Sequence, residues 1–116
     1  MVGMRWGTVD LHGEVYDYDV VVHTDGTVTK RKKKRSKHLK GEYGHTPLSR
    51  GELDLLITES PEVVYVGTGY EGALPITPDA REMLDAYSAV VAPTPEIVPL
   101  AEAEKRRFVA IIHVTC

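Results

Sequence analysis

The stretch Gly67-Thr68-Gly69-Tyr70-Glu71-Gly72 has the spacing G-x-G-x-x-G and follows a short apolar run. Those residue types in that order suit an anion cradle, in which glycines let backbone N–H groups approach a phosphate at the start of a helix. The next helix signal, however, comes only at Pro78, after Ala73-Leu74-Pro75-Ile76, and no acidic residue closes the following apolar run Ala89-Val90-Val91-Ala92. A dinucleotide site needs both. The spacing therefore favours a turn leaving a sheet. Such a turn, at the carboxyl end of a central strand, is still where open α/β sheets place their ligands. Gly67, Thr68 and Gly69 are thus ligand-binding candidates for a small anion, with Thr77 as a hydroxyl partner.

His113 and Cys116 pair an imidazole with a thiol, the groups a nucleophilic enzyme uses. An offset of three on an extended strand sends the two side chains to opposite faces, which favours a hydrogen-bonded core role for His113. The five histidines show no i, i+4 pair and no Cys-x-x-Cys partner, so neither a metal site nor a cofactor is expected. His45 lies in a stretch without periodicity, where a polar residue has no core to serve. It joins His113 as a ligand-binding candidate.

A third group is electrostatic. Residues 30–40 hold eight of the fourteen basic side chains and no acidic one, whereas the other residues carry all seventeen acids. A net charge of −3 therefore hides a basic end on an acidic body. Lys30, Arg31, Lys32, Lys33, Lys34 and Arg35 are the partner-binding candidates. Two partners suit them: an acidic protein surface, or nucleic acid through its phosphates. The second is less favoured because no aromatic residue for base stacking is interleaved before Tyr43. Lysines on an edge strand also serve simply to block strand-to-strand association.

The elements that position these groups read as a β-rich first third followed by alternating helices and strands. Residues 6–12 and 16–23 are β-branched and aromatic, and Thr24-Asp25-Gly26-Thr27 predicts a two-residue hairpin loop into Val28-Thr29-Lys30-Arg31. Ser49-Arg50-Gly51-Glu52 has the form of a capping box stapled by Leu48 and Leu53. It starts a helix whose apolar face is Leu53, Leu56 and Ile57 and which Ser60-Pro61 ends. Val63-Val64-Tyr65-Val66 lacks alternation, as an interior strand should. Thr77-Pro78 caps a helix with Ala80, Met83, Leu84 and Tyr87 on one face, and Thr94-Pro95 caps a second with Ile97, Leu100 and Ala101. Pro99 predicts that this second helix is short or irregular. Residues 108–115 are apolar on both faces, which predicts a central strand. The fold class is thus α/β: a three-layer arrangement with a central mixed sheet, flanking helices and an N-terminal antiparallel hairpin.

The order Trp6-Gly7, Tyr18-Asp19-Val20-Val21-Val22, Asp25-Gly26, Tyr43-Gly44-His45-Thr46, Val66-Gly67-Thr68-Gly69 and Ala110-Ile111-Ile112-His113-Val114-Thr115-Cys116 resembles one small-domain family. That family includes an adipogenesis-associated cytosolic protein and a mitochondrial respiratory complex I assembly factor, besides many archaeal and bacterial members. The resemblance covers nearly the whole chain, and the ending is similar to archaeal members. It implies a three-layer α/β fold with a mixed sheet, roles in assembly and differentiation, and no established catalysis.

Length suits one domain over residues 1–116, and the composition, 42% apolar and 27% charged, is that of an ordinary globular protein. No apolar run is long enough to span a bilayer, the start lacks a signal-peptide core, and a single cysteine suits a reducing compartment. The expectation is a cytoplasmic, non-catalytic binding or assembly module. Its alternatives are an anion-binding or small-molecule enzyme built on the turn at 67–72 and a nucleic-acid binder built on the basic run.

Overall fold

A computed structural model describes residues 6–33 and 46–115. The β-branched and aromatic residues of the first third build two ribbons. β1 (Val9–Leu11) and β2 (Glu14–Tyr16) pair antiparallel as a separate two-stranded sheet. β3 (Val20–Val22) and β4 (Val28–Lys30) pair antiparallel at one edge of the main sheet. Residues 16–23, expected as one strand, are divided between two. Tyr16 ends β2, and the chain turns through Asp17 and Tyr18 before β3.

The β3–β4 loop also differs from the expected two-residue turn. Only Gly26 takes a positive φ, at 88°, while His23 N–H donates to Thr27 O and Gly26 N–H donates back to His23 O. That is a three-residue loop with glycine in the left-handed position. Asp25 stays out of that region because its carboxylate accepts from both the Thr27 N–H (3.0 Å) and the Thr27 hydroxyl (2.7 Å).

A short 3-10 turn (Arg50–Glu52) leads into α1 (Asp54–Glu59), followed by β5 (Val63–Gly67), α2 (Pro78–Ala86), β6 (Val90–Ala92), α3 (Thr94–Ala103) and β7 (Phe108–Ile112). The strand order of the main sheet is β4-β3-β7-β5-β6. β7 lies in the middle, antiparallel to β3 and parallel to β5, and β5 is buried along its whole length. The central position expected for residues 108–115 and the interior one expected for 63–66 both hold.

Two cores lie on the two faces of this sheet. Val20, Val22, Tyr65, Ala110 and Ile112 meet Ile97, Val98 and Ala101 of α3 and Val9 and Leu11 of β1. On the other face Val21, Val64, Val66, Val109 and Ile111 meet Leu53, Leu56, Ala80, Met83 and Leu84. This is the three-layer arrangement expected of a mixed sheet with helices on it.

Four helix details depart from the pattern expected of the sequence. Ser49 makes no side-chain cap bond, the Glu52 N–H donating to Ser49 O instead, and the Glu52 carboxylate, which the capping box would send back to Ser49, is drawn to Arg31. Ile57 points to solvent, 63% exposed, and Leu55 packs in its place. Thr94 is the first helical residue and Pro93 the cap, so the Thr94 hydroxyl is used elsewhere. α3 also runs unbroken through Pro99, whose ring lies on the exposed side with Leu100, while Ile97, Val98 and Ala101 face the core. The cap at Thr77 forms as expected, its hydroxyl oxygen accepting from Ala80 N–H at 3.4 Å.

Candidate functional site

Strand alternation splits the basic run. Lys30 stands opposite Val20 and Thr29 opposite Val21, so Thr29 and the following Arg31 fall on the face that holds α1, while Lys30 falls on the other. Arg31 N–H donates to Asp19 O at 2.8 Å, extending the ladder by one residue. Its guanidinium then runs inward. Nε and Nη2 grip the two oxygens of Glu52 at 2.6 and 2.9 Å, Nη1 reaches Asp19 Oδ2 at 2.9 Å, and Nη2 also donates to Pro47 O at 2.8 Å. A planar fork on carboxylates is the geometry arginine supports and lysine does not. Arg31 is 4% exposed, so its charge belongs to the interior.

Asp19 is the hub. Oδ1 accepts Val114 N–H at 2.9 Å, and Oδ2 meets His113 Nδ1 at 2.7 Å and Lys33 Nζ at 3.5 Å besides Arg31. Burial works to raise the Asp19 pKa, but the hydrogen bond and charge of His113, the Val114 N–H and Lys33 outweigh it and hold the carboxyl well below its ordinary range. Burial likewise disfavours the Arg31 cation, and Glu52 and Asp19 more than restore it. In the neutral ring the Asp19 contact keeps the His113 proton on Nδ1, leaving Nε2 to accept from the Thr115 hydroxyl at 3.0 Å. His113 is therefore a buried core histidine with both nitrogens occupied. Among the described residues, no buried side-chain nitrogen or oxygen lacks a partner.

Above this network opens a cleft of about 590 Å³, lined by Asp17, Tyr18, Asp19, Lys30, Arg31, Lys32, Lys33, Val114 and Thr115. Lys33 is about half exposed there. Lys30 Nζ lies 5.4 Å from the centre of the Tyr18 ring, a cation–π contact that brings an aromatic residue to the basic surface. That neighbour is invisible in the run itself, since Tyr18 precedes it by twelve positions.

The glycine turn is bound into the fold by its own donors. Thr68 N–H donates to Ala92 O, Tyr70 N–H to Thr115 O, and Gly72 N–H to Gly69 O, while Gly69 N–H donates to the Thr94 hydroxyl at 2.9 Å. The Thr94 hydroxyl in turn donates to His113 O at 2.7 Å, and His113 N–H donates to Gly67 O. A Cβ on Gly67 would stand 2.8 Å from Thr94 Oγ1 and 3.3 Å from Thr94 Cα, so this glycine admits the start of α3. Burial of the Tyr70 phenol raises its pKa, and its hydroxyl ties the turn to Thr8 O.

Gly67, Thr68, Gly69 and His113 are thus brought together through Thr94, with Lys30, Arg31, Lys32 and Lys33 around the adjoining cleft. Thr77 is not among them. Its hydroxyl donates to Asp79 Oδ1 at 2.5 Å and its N–H to Leu48 O, which anchors α2 instead. His45, Lys34, Arg35 and Cys116 lie outside the described residues. Asp19, Glu52 and Thr115 were missed from sequence. Strand alternation through β4 is the signal that separates Arg31 from its lysine neighbours, whereas nothing local points to Asp19, which lies 94 residues from His113. Among the described residues, no group of three His, Cys, Asp or Glu side chains is placed to hold a metal, and no helix is long and apolar enough to cross a membrane.

The crystal structure of conserved hypothetical protein PH1505 from Pyrococcus horikoshii OT3 is similar to this chain at 33% identity and a TM-score of 0.82, covering 97% of this chain and 96% of that one. The structure of MT938 is similar at 37% identity and a TM-score of 0.77, over 97% and 94%. The chain belongs to the family of these two proteins. The family fold extends to a Bordetella pertussis protein described as a Mth938-like domain, at 19% identity and a TM-score of 0.53 over 97% and 84%, a likeness of fold alone. No family model matches the chain, and no curated protein does.

Proposed function

We propose that the chain is a cytoplasmic binding or assembly module and that it receives an acidic protein surface at the cleft beside Tyr18, Lys30, Lys32 and Lys33. The observation that carries this reading is the placement of Lys33. Its ammonium is about half exposed at the cleft and 3.5 Å from Asp19 Oδ2, so it can turn to an incoming carboxylate without breaking the network below. The buried Arg31 and Asp19 form the floor of the cleft, held from beneath by Glu52 and His113. His113 is buried at 7% exposure beneath the cleft and does not line it, so the side chains offered to a partner are the lysines and Tyr18, which suits recognition.

Asp17 and Asp19 line the same cleft. Asp19 is paired with Arg31 and Lys33, so the surface that Asp17 shares with Lys30, Lys32 and Lys33 stays net basic and suits an acidic partner. The resemblance of the sequence to a family with an assembly factor points the same way.

The test is fluorescence anisotropy with a labelled oligoglutamate peptide and a labelled single-stranded oligonucleotide at low salt, for the native chain and for Lys32→Glu/Lys33→Glu. Native binding of the peptide, lost at least about tenfold in the variant and falling with salt, supports the proposal. No peptide binding, or tighter binding of the oligonucleotide, overturns it.

A further inference from the structure

β4, the β3–β4 loop and the last residue of α1 align a hydroxyl, an imidazole and a carboxylate that take no part in the lysine cleft. Glu59 Oε2 lies 2.6 Å from His23 Nδ1, and His23 Nε2 lies 2.7 Å from Thr29 Oγ1. The other carboxylate oxygen, Oε1, accepts the Thr24 N–H at 2.9 Å and the Thr24 hydroxyl at 3.1 Å. The carboxylate is therefore held by backbone on one side and faces the ring on the other. With Glu59 on Nδ1, the neutral ring keeps its proton there and Nε2 accepts the Thr29 O–H. This is the polarity of a nucleophile, a general base and an orienting acid, recognised by geometry and not by fold.

The relay opens on a cavity of about 260 Å³. His23, Thr29 and Glu59 all line it, with Leu55 and Ile111 as apolar wall and Lys32 as a cation. That volume is just below the range of roughly 300–1,000 Å³ typical of drug-sized ligands, so it suits a short acyl group. His23 and Glu59 are each about a fifth exposed, while Thr29, which lines the same cavity, is exposed on the edge strand. The cavity beside the exposed Thr29 hydroxyl leaves room for a reacting carbonyl.

We propose that Thr29, His23 and Glu59 form an acyl-transfer site for small carboxylic esters. Thr29 Oγ1 attacks the ester carbonyl carbon as His23 Nε2 takes its proton. The bond from that carbon to the alcohol oxygen breaks, and His23 returns the proton to the departing alcohol. A water molecule, deprotonated by His23, then attacks the acyl-threonine. The carboxylic acid leaves and the proton restores the Thr29 hydroxyl. Glu59 is a positioning residue that holds the ring, and the Lys32 charge favours the oxyanion of each tetrahedral intermediate. Lys32 lines both hollows, whereas Thr29, His23 and Glu59 do not line the lysine cleft, so the two activities share that one lysine and are tested on different residues.

The experiment follows p-nitrophenyl acetate hydrolysis by the full chain, with peptide mapping of the acetylated protein. The native chain is expected to release p-nitrophenolate at least about a hundredfold faster than Thr29→Val or His23→Gln, in keeping with the usual contribution of a general base, and to carry acetyl on Thr29. Glu59→Gln is expected to lower kcat with KM unchanged, a split that loosened packing alone would not give. Should a variant fold poorly, labelling of the native chain with a fluorophosphonate decides, since Thr29 must be the residue modified. Equal release by all the chains, acetyl confined to lysines, or no fluorophosphonate on Thr29 overturns the proposal. Unchanged oligoglutamate binding by Thr29→Val keeps this outcome distinct from the fate of the cleft.

Discussion

Replacing Arg31 by methionine keeps the length of the side chain and removes its fork. Glu52 then loses the guanidinium from both oxygens, while Asp19 keeps His113, the Val114 N–H and Lys33. Because Arg31, Asp19 and Glu52 are 4%, 3% and 8% exposed, water cannot readily take over the lost contacts. Removing one partner of a buried ion pair costs about 3–5 kcal/mol. That is a large part of the roughly 5–15 kcal/mol that holds a domain folded. At the few degrees per kcal/mol expected of a chain this size, Tm should fall by roughly 10–20 °C. Urea denaturation followed by circular dichroism measures the effect as a lower midpoint at unchanged slope. Adding Glu52→Gln should recover part of the loss, since the amide leaves no buried charge behind. A cost below about 1 kcal/mol, the range of an exposed ion pair, would refute the reasoning by showing that the network is solvated.

Two further predictions concern Asp19 in that floor and the glycine turn beside it. Asp19 is held below its ordinary pKa of 3.8, so its folded form binds protons less readily than its unfolded form. Its stabilisation is then fully present above about pH 4 and is lost as pH falls toward the folded value. Urea midpoints measured downward from pH 5 should decline more steeply for the native chain than for Asp19→Asn, and parallel curves would contradict this. Gly67→Ala places a Cβ against the backbone of Thr94, which cannot swing aside, and overpacking of that kind costs about 1–3 kcal/mol. A thermal melt unchanged from the native one would show that the start of α3 can shift.

Much of the scaffold was legible because its signals are local. The two apolar faces of residues 108–115 sufficed to predict a central strand, which the fold sets between β3 and β5, and proline after Thr77 sufficed to start α2. The relations that build the sites are not local. Asp19 meets His113 across 94 residues and His23 meets Glu59 across 36, distances over which no periodicity carries information. Side chains read by local pattern were also diverted by tertiary partners. Glu52 left its capping box for Arg31, and Thr94 left its cap for Gly69 and His113. Arg31, counted with the lysines by charge, went inward because its register placed it on the α1 face. The run at 30–33 is thus basic in composition but divided in the fold between interior and surface.

Where an acidic partner touches the chain is the most direct test of the cleft. Amide chemical shifts followed by NMR during titration with oligoglutamate at low salt should move at Tyr18, Lys30, Lys32, Lys33 and Thr115, the residues around that one hollow. Shifts absent from these residues, or spread evenly over the acidic body, would contradict a partner site there.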